Sequence, residues 1–509
     1  MILMDVIVTA LIPPTLPPPS PARTPPVSAE VLREVQALQE QARALSEQAD
    51  RLMRLAAPDE VGAAAELGRL GIFNGYIGVF VVAFLVSLLA TPVMRRLALV
   101  NGIMDRPSEA RKGHRLPVAY LGGVAVWLGV MAGVVFSYTA EVHGLMSPHP
   151  TRHEATGFLP GGVPLSIVLG MTAIMLVGLI DDVMKISPRI KIAGQLAAAA
   201  ALAVETVGAN LAAGLLVPMA RTLGIPVTAV GQMETILLQI PLGGGMSLPI
   251  DVVYWTGTAL IAIFVLGACN ASNLIDGLDG LLTGTTAIAA FGLLVISLGL
   301  AVADNGPLDG PRVVLCLAVL GACLGFLPHN FNPATIFLGD AGSLLLGYCT
   351  IVIVMSLGDK GHTSLVLAGL IIYAIPIIDT TLAIIRRKIA GRSISEADDQ
   401  HLHHMLKRAL GVKGAVLVLY LIAAGFAGLG VALTLGRGRI TYALALVFAA
   451  FIGVTAFKSA RQKHIEEQTA AAEAMRNGRK GLELTPPAPP TSPTAAAAQP
   501  VEPVATRGA

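Results

Sequence analysis

Asn270, Asn273, Asp276 and Asp279 recur at every third position, with Gly277 and Gly280 after the acids and long apolar runs on both sides. A helix turns about 100° per residue, so a step of three drifts about 60° backwards each time. Neighbouring members share a face, but all four cannot aim at one ion. The glycines loosen the helix and let a ligand come close to the backbone. Four more polar islands lie along the chain. The first joins Asp105 to Arg111, Lys112, His114 and Arg115, and the second is Asp181-Asp182 with Lys185, Arg189 and Lys191. The third holds Asn330 and Asn332, then Gly339-Asp340-Ala341-Gly342-Ser343. The last sets Asp379 before Arg386-Arg387-Lys388 and Asp398-Asp399-Gln400-His401-Leu402-His403-His404.

Each island alone has a plain reading: a capped helix end, basic anchors at a membrane surface, a solvated loop. A zinc site at the histidines is disfavoured, because no cysteine lies nearby and His403 and His404 point apart on a helix. Together the islands mix hard oxygen donors with cations. Mg²⁺ takes about six oxygen ligands and accepts phosphates among them. Lys, Arg and His neutralise the remaining phosphate charge. The chemistry indicated is the handling of a phosphorylated ligand at the edge of a membrane, where polar groups are costly and functional.

The elements that must position these residues are membrane helices. Of 509 residues, 54% are hydrophobic and 13% charged, where a soluble protein carries about 25% charged. Mean hydropathy is +0.71. The apolar runs are long and continuous, which excludes a β-barrel. The expected fold is all-α and polytopic, with about 11 spans: 72–94, 119–139, 163–180, 190–207, 251–269, 281–303, 311–328, 341–357, 363–385, 414–435 and 439–457. Residues 208–250 read as an excursion containing a short hairpin. One set of loops holds 16 Lys or Arg and the opposite set 5, so the first, which carries every polar island, is cytoplasmic. The N-terminus is then outside and the C-terminus inside. Residues 1–71 form an extension with a Pro-rich stretch, no basic signal-peptide region, and an amphipathic or coiled-coil helix over 28–57. Residues 72–457 form the membrane domain. Residues 458–509 form a tail whose composition predicts disorder from 480. The four cysteines have neither metal spacing nor a disulfide pattern and read as core residues.

The ordered motifs Gly178-x-x-Asp181-Asp182, Asn270-x-x-Asn273-x-x-Asp276-Gly277-Leu278-Asp279-Gly280 and Asn330-x-x-Pro333-Ala334-x-x-Phe337-x-Gly339-Asp340-x-Gly342-Ser343 resemble the polyprenyl-phosphate N-acetylhexosamine-1-phosphate transferases. The resemblance covers about residues 72–457. His401-x-His403-His404 is similar to the members that use UDP-GlcNAc, whereas the pentapeptide transferase of peptidoglycan synthesis has three consecutive histidines. Ala119 replaces a family proline, and Asp398-Asp399-Gln400 stands where many relatives carry Asp-Arg-Gly.

The resemblance implies transfer of N-acetylhexosamine-1-phosphate, most simply GlcNAc-1-phosphate, from a UDP-sugar to undecaprenyl phosphate, with release of UMP. That reaction is the first membrane step of a cell-envelope polysaccharide, in a bacterial inner membrane. It implies Mg²⁺, with Mn²⁺ as an alternative, on Asn273 and Asp340. It gives catalytic roles to Asp181, Asp182, Asp276 and Asp279, with Asp181 and Asp182 facing the acceptor phosphate. Substrate contacts fall to Lys112, His114, Lys185, Lys191, Asn270, Asn330, His401, His403 and His404. A homodimer is allowed, and no nucleic-acid partner is expected. The alternatives are a phospho-N-acetylmuramoyl-pentapeptide transferase-like enzyme and, in a different class, a secondary transporter. A transporter would carry its acids near mid-membrane in two related halves. Here they line one edge and no repeat is visible.

Overall fold

The computed structural model describes residues 68–105, 117–142, 162–205, 207, 210–230, 233–243, 246–303, 308–389, 391, 401–436, 442–451, 454 and 469. Contacts divide the chain into two units, residues 1–71 with 149–151 and all the rest. Nearly all of the first unit lies outside the described residues. So do the helix expected over 28–57, Lys112, His114 and almost all of the 458–509 tail.

The second unit is helical. In order come α1 (Arg69–Val100), a ribbon of β1 (Met104–Asp105) and β2 (Val118–Ala119), α2 (Gly122–Val142), α3 (Leu165–Met184), α4 (Pro188–Val204) and α5 (Asn210–Thr222). Two antiparallel ribbons follow, β3 (Thr228–Val230) with β4 (Met233–Thr235) and β5 (Leu237–Gly243) with β6 (Met246–Asp251). Then come α6 (Val252–Ile275), α7 (Leu281–Val302), α8 (Asp309–Asn330), α9 (Gly339–Ser356), α10 (Thr363–Ile372), α11 (Ala374–Ile389) and α12 (Leu402–Leu433), with a short apolar α13 (Tyr442–Phe451). Long apolar runs become helices because hydrocarbon offers the backbone no partner outside the segment.

The protein is an all-α, multi-pass membrane protein. Eight described helices are long and apolar enough to cross a membrane, or nine if α10 and α11 form one broken span. Eleven were expected. The run 190–207 folds as α4, which starts at Pro188, carries Arg189 and Lys191, and has only 17 residues. The run 363–385 is broken, with α10 and α11 at 78° to each other. The run 439–457 is described only as the short α13. The 208–250 excursion contains α5 and two hairpins rather than one.

Helix α9 lies at the centre, packed by α2, α3 and α6. From Ala341 to Ser356 every residue is buried, as a helix apolar on all sides requires. Glycines bring the neighbouring backbones close: Gly123 meets Gly342, Gly178 meets Ala341, and Gly347 meets Ala268. Outer faces are apolar and exposed, as at Leu85, Leu89, Leu169, Leu176, Leu417 and Leu421. Such a surface suits lipid. Polar side chains in the helices look inward or back: Thr91, Thr285, Ser297 and Thr350 each donate to the carbonyl four residues earlier. Buried Arg312 pairs with Asp309 and donates to the Ser356 carbonyl at 2.7 Å. All four cysteines are buried free thiols.

Candidate active site

Five carboxylates meet where α3 and α6 end and α9 begins. Helix α6 stops at Ile275 and α7 starts after Gly280, whose φ of +77° is a left-handed conformation that suits glycine. This break resolves the drift of the three-residue spacing. Asn270 and Asn273 stay on α6, while Asp276 and Asp279 lie in the turn. The Asn270 amide donates to Gln195 at 2.9 Å and ties α6 to α4. Asn273 donates to Asp340 at 2.6 Å and to Ser343 at 2.9 Å.

Lys191 joins two of the acids. Its ammonium lies 2.8 Å from Asp181 on α3 and also pairs with Asp340 on α9. The other Asp181 oxygen accepts the Ile186 N–H at 2.9 Å. Lys185 follows at the end of α3, exposed, with its own N–H on the Asp181 carbonyl.

Asp182 lies against the start of α9. Its two oxygens accept the N–H groups of Asp340 at 2.8 Å and Ala341 at 3.0 Å. It caps the first turn of α9, where a negative charge is favoured. Gly339, at φ +70°, leaves room: a Cβ there would come within 2.5 Å of the Asp182 carboxylate. Both oxygens of this carboxylate thus lie on the backbone that carries Asp340.

Asp279 and Asn330 hold the loop between α8 and α9. Asp279 accepts from Asn332 at 2.9 Å and from the Ala334 N–H at 3.0 Å. Asn330, expected on substrate, is buried, with its carbonyl on Thr283 and its amide on the Ile336 carbonyl. The same loop is stitched to the start of α2 by Phe337 N–H to Ala119 and Gly122 N–H to Phe337. Asp276 has no hydrogen bond among the described residues. Burial, then the charges of Asp340, Asp182 and Asp279, push its carboxyl up to about 8.

The histidines approach the break from α12. His401 and His403 are buried and stacked 5.4 Å apart, and His404 lies 4.3 Å from His403. The Nε2 edge of His403 lies against Gly277. The donors in the acid cluster are hard oxygens, and an ammonium already bridges Asp181 and Asp340. Hard oxygen donors of this kind are those that Mg²⁺ or Mn²⁺ takes.

Residues 164–358, from the start of α3 to the end of α9, match Glycosyl transferase family 4. The chain is 33% identical over 382 residues to a probable undecaprenyl-phosphate N-acetylglucosaminyl 1-phosphate transferase of Bacillus subtilis, covering 73% of this chain and 89% of that one. It is 33% identical over 386 residues to a decaprenyl-phosphate N-acetylglucosaminephosphotransferase of Mycolicibacterium smegmatis, covering 72% and 85%. The chain belongs to the polyprenyl-phosphate N-acetylhexosamine-1-phosphate transferases. A phospho-N-acetylmuramoyl-pentapeptide-transferase of Bacillus cytotoxicus is 29% identical over 331 residues, covering 64% and 87%. The three motifs on α3, α6 and α9 that carried the resemblance lie together in space. Sequence reasoning placed Gln195 and Tyr420 in no role. Tyr420 donates to the Gly280 carbonyl at 2.5 Å and holds α12 on the break. Both lie in apolar runs, where hydropathy gives no sign of a polar contact.

Proposed function

We propose that this protein transfers N-acetylglucosamine-1-phosphate from UDP-N-acetylglucosamine to undecaprenyl phosphate at the cytoplasmic face of a bacterial inner membrane. An oxygen of the lipid phosphate attacks the β-phosphorus of the donor. The bond from that phosphorus to the bridging oxygen breaks, and UMP leaves with the electron pair. The sugar C1–O bond stays intact, so catalysis rests on positioning and charge.

The observation that carries this reading is the ring of Asp181, Lys191, Asp340 and Asn273 at the start of α9, with Asp276 beside it. Asp340 and Asn273 would hold Mg²⁺, which supplies positive charge for the diphosphate. Lys191 is placed to exchange its carboxylates for a phosphate oxygen. Asp182 and Asp279 fix the two backbones that carry the site. The relatives' names give a polyprenyl phosphate as the lipid substrate, which fits a lipid-linked step of cell-envelope polysaccharide synthesis.

The test is release of UMP by purified protein given undecaprenyl phosphate and, in turn, UDP-GlcNAc, UDP-GalNAc or UDP-MurNAc-pentapeptide. Turnover with UDP-GlcNAc, lost in chelator and restored by Mg²⁺, is the expected result. No UMP from any donor would defeat the reading, and turnover only with the pentapeptide donor would replace it.

A further inference from the structure

Helix α11 is the second half of the bent pair, ending in Arg386-Arg387-Lys388. Within it Asp379 is 1% exposed. A buried acid at this depth needs partners, and it finds them across a gap of more than twenty residues. One oxygen accepts the Leu402 N–H at 2.7 Å. The other lies 2.9 Å from His401 Nδ1 and 3.6 Å from His403 Nδ1. His403 Nδ1 is buried and makes no hydrogen bond.

A carboxylate only accepts, so the His401 Nδ1 carries a proton and donates it to Asp379. The stacked ring of His403 faces the same oxygen without a hydrogen bond. Its far edge then abuts Gly277, next to Asp276, at a point where no side chain would fit. A line of contacts thus runs from α11 through two imidazoles to the acid-bearing break.

We propose that Asp379 is a positioning residue of the transfer reaction, fixing the protonated Nδ1 of His401 and the ring of His403 so that the His403 edge is presented beside Gly277 and Asp276. The proposal rests on the transferase reading above. It assigns Asp379 no contact with substrate. Its effect passes through the imidazoles, so removing either end of the line has the same consequence.

The experiment is a double-mutant cycle on the full chain in detergent, with UMP release as the readout. Asp379→Asn keeps size but sets an NH₂ or a neutral oxygen where two donors need a carboxylate. Loss of a carboxylate that orients an imidazole costs about 10–100-fold. We expect Asp379→Asn and His403→Gln each to lower kcat by about that factor, with KM for undecaprenyl phosphate changed less than about 3-fold. The double variant should be no slower than the slower single, as for residues acting as one unit. Multiplied losses, or wild-type kcat in Asp379→Asn, would overturn the proposal. If Asp379→Asn does not fold, Asp379→Glu enters the same cycle, keeping the charge but moving it by one methylene. One equivalent of zinc in the purified protein, absent from His403→Gln, would make the cluster a metal centre and also overturn it. Wild-type protein that releases no UMP defeats the assigned reaction; active wild type with unaltered variants defeats this proposal alone.

Discussion

Asp181 has one oxygen on the Ile186 amide and the other on Lys191, so a proton would have to displace the ammonium to reach it. That geometry suits a group that places a cation and a phosphate. A phosphate monoester has a second pKa of about 6, so the acceptor is already largely dianionic at pH 7. Asp181→Asn should therefore slow turnover by a nearly constant factor from pH 6.5 to 9, at saturating substrates and Mg²⁺. A lost general base costs about 10²–10⁴-fold. If Asp181 were that base, the defect would shrink at least tenfold as pH rises. Asp276 gives a second pH prediction. Its carboxyl is raised to about 8 in the fold from an unfolded value near 3.9. The native state then binds a proton that the unfolded chain does not. This contribution is fully present below about pH 4 and is lost as pH rises through about 8. In chelator, the melting temperature of the wild type should fall between pH 5 and 9, and Asp276→Asn should flatten that slope. An unchanged slope would mean that Asp276 is better solvated than its neighbours imply.

At the scale of elements, α9 is where local chemistry and packing coincide. Its first turn carries Asp340, and its sides are in contact with three other helices at glycines. A Cβ on Gly178 would lie 2.5–2.6 Å from the backbone of Asp340 and Ala341, and neither backbone can yield. Gly178→Ala should destabilise by about 1–3 kcal/mol and should cut activity by more than the stability loss explains. Gly267→Ala is the control. Nothing lies within 4 Å of Gly267, so its melting temperature and turnover should match the wild type or rise slightly. The motifs on α3, α6 and α9 were legible because acids and amides stand out in apolar runs. The capping role of Asp182 was not, because adjacent acids look alike until the helix they cap is in place. The bend between α10 and α11 was equally hidden, since the run 363–385 is apolar enough to read as one segment. Asp379 was visible as an acid inside that run, but its partners lie more than twenty residues away.

For the whole molecule, hydropathy separates what avoids water from what does not, and cannot separate lipid-facing from protein-facing. Helix α1 is largely exposed and α9 almost wholly enclosed, yet both read simply as spans. Length and apolarity likewise do not reveal a short or broken segment, such as α4 or the bent pair α10–α11. The motifs begin well after the extension, so deleting residues 1–65 should leave turnover within about a few-fold of the full chain. Complete loss in a well-expressed truncation would give the extension a share in the site. The buried cysteines carry a practical consequence. Cys269, Cys316, Cys323 and Cys349 are all enclosed by neighbouring helices, and buried thiols are inert to reagents that attack an accessible thiolate. The native protein is thus a silent background for sulfhydryl labelling, with no need to strip its own cysteines first. A membrane-impermeant maleimide should leave the wild-type protein unmarked in intact cells. It should tag Lys360→Cys, exposed after α9, from outside intact cells, and reach Lys388→Cys, exposed at the end of α11, only after the membrane is opened. The reverse pattern would invert the proposed orientation and move the acid cluster to the outer face.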